Sequence, residues 1–290
     1  FLIGTIFTFN MPGRHSFLSE LVSPEHLTNA VALTSATMNL NRVAAPALAG
    51  VLVGLIGVEG VYFIVVGCYA FVVITLLLIP VRSRLQVNHD KSLLRDLKDG
   101  LSYMRGNSEV SSLIVLAFVP IVFAMYYQLL LPVFAKDVLD VDSSGLGLLM
   151  GSIGVGALMG TLGIASLADF QRKGVLMLGL LITFGIALSL FALSEIFYLS
   201  MAALLLVGVG SQGYMALNNT LILTHTEPEM RGRVMSMYSM TWGLTPLSML
   251  PAGAIADSVG APSTVHIGAV LLLVSTALMA LLRPQLRRLK

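Results

Sequence analysis

Glu227-Pro-Glu-Met-Arg-Gly-Arg-Val-Met-Ser-Met-Tyr-Ser-Met240 is a short charged segment set between two long apolar runs. It has an echo upstream, where Ser23-Pro-Glu-His-Leu-Thr-Asn-Ala-Val-Ala-Leu-Thr-Ser-Ala36 occupies the same kind of setting. Pro24 and Glu25 align with Pro228 and Glu229 at an offset of 204 residues. At that offset Gly4 meets Gly208, Ser35 meets Ser239 and Leu40 meets Leu244; one inserted residue later, Pro46-Ala47 meets Pro251-Ala252. The identities are few, but order, spacing and hydropathy agree. A faint repeat between apolar halves is the mark of a membrane protein built from duplicated helix bundles.

Composition points the same way. The chain is 56% hydrophobic and 11% charged, with a mean hydropathy of +0.88. A soluble domain carries about twice that charge. Apolar runs of about 20 residues recur, long enough to cross a hydrocarbon core of ~30 Å. A β-barrel would instead alternate apolar and polar residues in segments of ~10. The predicted fold is therefore all-α, a polytopic membrane helix bundle with the lipid bilayer as its solvent. A net charge of +2 is too small to suggest a nucleic-acid partner. The single cysteine, Cys68, cannot form a disulfide within the chain and reads as inert packing in an apolar run. Phe1 lies inside an apolar run with no charged leader, and the repeat projects a helix start ahead of residue 1. The expectation is a chain that continues a longer one.

Nine spans are predicted, at roughly 1–20, 30–54, 60–80, 110–135, 145–167, 174–194, 198–222, 234–255 and 264–282. One long polar segment, 81–109, separates the third from the fourth. Within it Leu93, Leu94, Leu97, Leu101 and Met104 share one helical face. That pattern fits a helix lying on the membrane surface, or one packed on neighbouring loops. Arg82, Arg84, Lys91, Arg95, Lys98 and Arg105 in the segment fall on one side of the membrane. So do Arg283, Arg287, Arg288 and Lys290 at the end of the chain, and Arg14, Arg172, Lys173, Arg231 and Arg233. The opposite loops hold only Lys136 among cations, so the segment and the C-terminus are expected to face the cytoplasm.

Three loop motifs narrow the class. They are Arg-x-Ser-x-Leu-x-Glu-Leu-Val-x-Pro-Glu at 14–25, Leu-Lys-Asp-Gly-Leu-Ser-Tyr-Met-Arg at 97–105 and Arg-Gly-Arg-Val-Met-Ser-Met-Tyr at 231–238. With three spans before the polar segment and six after it, the chain resembles the major facilitator superfamily, nine helices of an expected twelve. Closest is the bacterial exporter branch that includes enterobactin exporters. The resemblance implies a remainder of an N-terminal six-helix half at 1–80, a cytoplasmic linker at 81–109 and a C-terminal six-helix half at 110–290. It implies a secondary active exporter of a siderophore or drug-like small molecule, working by alternating access and proton antiport. It further implies a monomer in the bacterial inner membrane. A lysophospholipid flippase of the same superfamily and a non-transporting membrane subunit or scaffold are the alternatives.

Several residues carry this reading. Arg42 lies ~20 Å along the span that begins near Thr28, deep in the membrane. A central arginine costs ~2.5–3.5 kcal/mol even on insertion scales, so it needs a partner. A carboxylate on the missing helices, an anionic group of the substrate, or Asn39 and Asn41 with backbone carbonyls would each serve. Ala45-Pro46-Ala-Leu-Ala-Gly50 is similar to the superfamily's antiporter motif, with alanine at two of its glycines; ordinary small-residue packing is the alternative. Asp169, Arg172 and Lys173 resemble the cytoplasmic loop signature, in which the aspartate caps a helix of the opposite half in one state. A solvated acid beside two cations fits the residues as well. Glu227, Glu229, Arg231 and Arg233 read as gate ion pairs or as topology signals.

Tyr126, Tyr127, Gln128, Gln212, Tyr214, Asn218 and Asn219 are polar at membrane depth, so they line a cavity or bond between helices. Met240 and Trp242 fit a cavity wall or the core. Gly147 and Gly151, and Gly156 and Gly160, are four apart, so each pair shares a helix face, for sliding or static contact, with the 30–54 span as the partner by resemblance. Gly208-Val-Gly-Ser-Gln-Gly213 matches a dinucleotide fingerprint by letters, but it lies in an apolar helix with no strand before it. The five histidines show no metal-ligand spacing and no nucleophile elbow or phosphate loop occurs, so neither enzyme, metal nor cofactor is expected.

Overall fold

The structure, a computed structural model, describes residues 37, 52, 56–57, 59–78, 93–167, 170–227 and 229–289. All its elements among these residues are helical. They are α1 (Glu59–Leu78), α2 (Leu93–Gly106), α3 (Ser108–Phe123), α4 (Tyr127–Val133) and α5 (Ser143–Ser166). After these come α6 (Lys173–Leu193), α7 (Phe197–His225), α8 (Arg231–Trp242), α9 (Thr245–Val259), α10 (Ala261–Leu282) and α11 (Gln285–Arg288).

Among the described residues, six helical runs are long and apolar enough to cross a membrane: α1, the run Ser108–Val138, α5, α6, α7 and α10. The expected 234–255 span is divided, because α8 and α9 meet at Gly243 and Leu244. The expected spans 1–20 and 30–54 lie outside the described residues, apart from single positions. Cys68 does not fill the packing role read from sequence: it is exposed on α1. An apolar run marks membrane insertion, and only neighbours decide burial.

α7 is the spine of the bundle. It packs against α5 on one side and α6 on the other; α6 carries α10, and α10 closes against α3 and α9. Glycines set the closeness of these contacts. A Cβ on Gly156 or Gly160 of α5 would overlap the carbonyl oxygens of Leu205 or Val209, and one on Gly208 would overlap that of Ile153. On the other face of α7, a Cβ on Gly210 would lie 2.7 Å from the Phe184 nitrogen and 2.8 Å from the Leu180 oxygen of α6. The dinucleotide-like letters are therefore helix-packing glycines, and Gly156 and Gly160 of α5 face α7. Phe184 and Phe191 of α6 anchor the core, with Tyr127 edge-on to Phe184 at 6.4 Å and Phe134 on Phe191 at 4.5 Å.

Helix ends follow local chemistry. Asn107 caps α3 by accepting from the Glu109 and Val110 amides at 3.2 and 3.1 Å. Asp142 caps α5 through the Gly145 amide at 2.9 Å. Gly260, at φ 86°, turns the chain between α9 and α10, a conformation that suits glycine.

Two helices break inside the bundle. α3 stops after Pro120, whose carbonyl accepts from both the Ala124 and Met125 amides at 2.9 Å. The chain resumes as α4 and ends in a π-turn over Phe134–Val138, closed by the Leu139 amide on the Phe134 carbonyl at 2.9 Å. α8 stops where Gly243 and then Pro246 follow. Pro246 has no N–H for the Trp242 carbonyl, and the Thr245 hydroxyl takes that carbonyl instead, at 2.7 Å.

The linker helix α2 packs on α8. Its Met104 is buried while Leu101 is exposed, and Gly100 sits against the Met237 sulfur and the Arg233 stem.

Candidate functional site

The two helix breaks converge on one cleft. α3 and the turn after it contribute Ala117, Pro120, Ile121 and Met125. α7 contributes Ser211, Tyr214 and Met215, and α8 closes the cleft with Tyr238 and Trp242. Met125 belongs to the first break, and Trp242 is the last residue before the second. The cleft is partly open, and the space within it is about 10 Å³, room for about one water-sized group. Among the described residues the lining carries no formal charge: it is aromatic, aliphatic and thioether, with a few hydroxyls and the indole N–H.

Beneath the cleft lies a polar knot. Among the described residues, the buried side-chain atoms without a hydrogen-bond partner are the Tyr214 hydroxyl, both amide atoms of Asn218 and the Asn219 carbonyl oxygen. All belong to one stretch of α7. Tyr214 is 4% exposed and Asn218 is fully buried. The Tyr238 hydroxyl of α8 faces Asn218 across the α7–α8 contact, short of hydrogen-bond geometry, and Trp242 stands one turn further on the same helix. A buried polar group left unpaired costs roughly 1–3 kcal/mol. Of these groups, the Tyr214 hydroxyl belongs to a residue that lines the cleft.

The sequence candidates divide into three groups. Asn218 is in the knot, and Trp242 and Tyr214 line the cleft. Tyr127 is 1% exposed and spent on core packing; Tyr126 donates to the Thr264 carbonyl at 3.0 Å and ties the α3–α4 turn to α10. Gln212 is half-buried on α7, while Gln128 and Met240 are exposed. Arg42, Asn39, Asn41, Ala45, Pro46, Gly50 and Asp169 lie outside the described residues. Among the charged loop residues, Arg172 sits at the start of α6, Lys173 is its first residue, and Glu229 is exposed. Arg231 donates to the Thr226 carbonyl at 3.3 Å, and Arg233 to the Met230 sulfur at 3.5 Å.

Sequence reasoning missed Tyr238. Its signal was available, because Tyr238 and Trp242 are four apart and share a helix face. It also passed over His266, whose Nδ1 is 2.8 Å from the Ser189 hydroxyl, an α10–α6 contact within the membrane-crossing helices.

Long apolar helices, broken around an internal cleft with buried polar groups, define a polytopic membrane protein. Over residues 1–289 the chain matches the family described as transmembrane secretion effectors, and it belongs to that family, a branch of the major facilitator superfamily. It is 20% identical over 263 residues to macrolide efflux protein A of Streptococcus pyogenes, covering 89% of this chain and 64% of that protein. It is 24% identical over 270 residues to the staphyloferrin A transporter of Staphylococcus aureus, covering 92% of this chain and 66% of that protein. The chain thus spans about two thirds of the length of the curated relatives it matches.

Proposed function

We propose that the full-length protein is a secondary active exporter that moves a siderophore or drug-like molecule outward by alternating access, driven by proton antiport. The observation that carries this reading is the cleft between α3, α7 and α8, with unpaired buried polar groups at its base and a helix break on two of its walls. Discontinuous helices at a central site are a recurring device of secondary transporters. The efflux in the name of the streptococcal relative supports the outward direction. In this reading residues 1–80 belong to the N-terminal half, 81–109 to a cytoplasmic linker and 110–290 to the C-terminal half. The protein is a monomer of the bacterial inner membrane with its C-terminus inside. Arg42 faces the bundle interior and meets a carboxylate or an anionic part of the substrate; Asp169 is a state-dependent cap.

The test is substrate accumulation in cells expressing the full-length protein, with and without a proton uncoupler. Lower accumulation that rises to the control level on uncoupling is the expected result. Accumulation equal to that of cells lacking the protein overturns the export reading.

A further inference from the structure

We propose that the end of the bundle where α11 crosses α6 is a headgroup site for an anionic phospholipid. The inference needs a chain embedded in a bilayer and is independent of transport. Three observations carry it. First, the chain after α10 is a strap fixed in place. Leu286 and Leu289 are buried. The Gly174 amide donates to the Leu289 carbonyl at 3.1 Å, and a Cβ on Gly174 would overlap the Leu286 carbonyl oxygen. Gln285 reaches α3, where its Nε2 donates to the Ser108 carbonyl at 3.0 Å and to the Ser112 hydroxyl oxygen at 3.1 Å.

Second, this seat gathers cations that lie far apart in sequence. Arg172 and Lys173 directly precede Gly174, and Arg287 and Arg288 stand between Leu286 and Leu289, the two residues that meet Gly174. The three arginines are exposed and Lys173 is half-buried. Arg287 also donates through Nε to the Ala280 carbonyl at 2.7 Å, which holds its guanidinium at the end of α10. The ion pair found among the described residues, Glu109 with His225 at 3.9 Å, involves none of the four. Asp169, three residues before Arg172, lies outside the described residues. Like charges fixed around one backbone contact repel one another, and a phosphate relieves that while accepting from the arginine forks.

Third, the cations stand where two membrane-crossing helices end. Lys173 opens α6 and Leu282 closes α10. Beside them the wall is apolar and exposed, with Val175 on α6 and Leu278, Leu281 and Leu282 on α10. A free anion matches the cations alone. An anionic phospholipid matches both surfaces, with its phosphate among the cations and its acyl chains along the apolar wall.

Native mass spectrometry of the full-length protein in a non-ionic detergent tests this, with dioctanoyl phosphatidylglycerol and dioctanoyl phosphatidylcholine as probes. The first phosphatidylglycerol is expected to bind with a Kd at least tenfold below that of phosphatidylcholine. Arg172→Gln and Arg288→Gln alter exposed side chains, which keeps the fold. Each is expected to weaken phosphatidylglycerol about fivefold, the measure of one cation at a membrane surface, and to leave phosphatidylcholine unchanged. Leu286→Ser with Leu289→Ser releases the strap while keeping every cation, and is expected to weaken phosphatidylglycerol by at least as much. Equal affinity for the two lipids overturns the proposal. So does wild-type phosphatidylglycerol affinity in both arginine variants, or in the strap variant, where it would mean that summed charge acts without a built site. Displacement of phosphatidylglycerol by inorganic phosphate, at an ionic strength matched with chloride, gives the site to a free anion and overturns the lipid. Failure of the uncoupler experiment would remove the export reading and leave this site untouched.

Discussion

Gly156→Ala isolates the closest helix contact in the bundle. The new Cβ overlaps the Leu205 carbonyl oxygen and stands 2.8 Å from its carbonyl carbon and 3.0 Å from the Val209 nitrogen. Ordinary carbon contacts are ~3.5–4.0 Å, and every atom met here is backbone, which cannot rotate aside. α5 and α7 must separate by a sizeable fraction of an ångström, and the reciprocal seat of Gly208 on Ile153 loosens with them. Overpacking of this kind costs ~1–3 kcal/mol. At a midpoint of ~2 kcal/mol the melting temperature of a chain of this size or longer falls by roughly 2–3 °C. Gly163→Ala is the control, since it lies on the same helix with nothing within 4 Å of its Cβ position. It is expected to stay within ~0.5 kcal/mol of wild type. The assay is thermal unfolding of the full-length protein in detergent. Equal melting temperatures for the two variants would refute the backbone-contact argument.

Four further outcomes are expected. Tyr126→Phe loses the hydrogen bond to the Thr264 carbonyl and lowers stability by ~0.5–1.5 kcal/mol; an unchanged unfolding midpoint would contradict it. Asn107→Ala strips the cap from α3 at a cost of ~1 kcal/mol, read in the same assay, where a neutral effect counts against the cap. Arg42→Ala is expected to bring export close to zero without preventing insertion, and Arg42→Lys to impair it because the planar fork is gone; wild-type export by the alanine variant refutes the assignment. Asp169→Asn is expected to lower turnover more than substrate affinity, by changing the balance of states, and normal turnover removes the capping role.

The sequence made the apolar spans legible because insertion depends on summed hydropathy over about 20 residues, a property no neighbour can reverse. The caps of α3 and α5 were not read, although Asn107 and Asp142 act on amides within a few residues of themselves. The helix breaks were not read, although Pro120, Gly243 and Pro246 stand in plain view. Proline in a membrane helix produces anything from a mild kink to a full stop, and the outcome depends on what takes the freed carbonyl. Here Pro120 ends α3 within a turn, while Pro251 sits inside an unbroken α9. Tyr127 shows the same limit from the other side. It is as polar as Tyr214 in sequence, yet one ring packs on Phe184 and the other opens to the cleft.

The division of labour along α7 explains where the polar knot can exist at all. Its earlier turns are clamped on two faces, with Gly208 toward α5 and Gly210 toward α6, by contacts between backbones that leave little room to relax. One turn later Tyr214 follows on the same helix, where the facing walls are α3 and α8, the two helices that break, and Asn218 and Asn219 come one turn further along. Orphaned polar atoms inside a rigid seam would have no route to a partner and would simply lower stability. Beside helix breaks, the same atoms face walls whose backbone turns already depart from the regular helix ladder. The fixed spine thus holds the polar groups in place, and the broken helices border the space through which a partner would reach them.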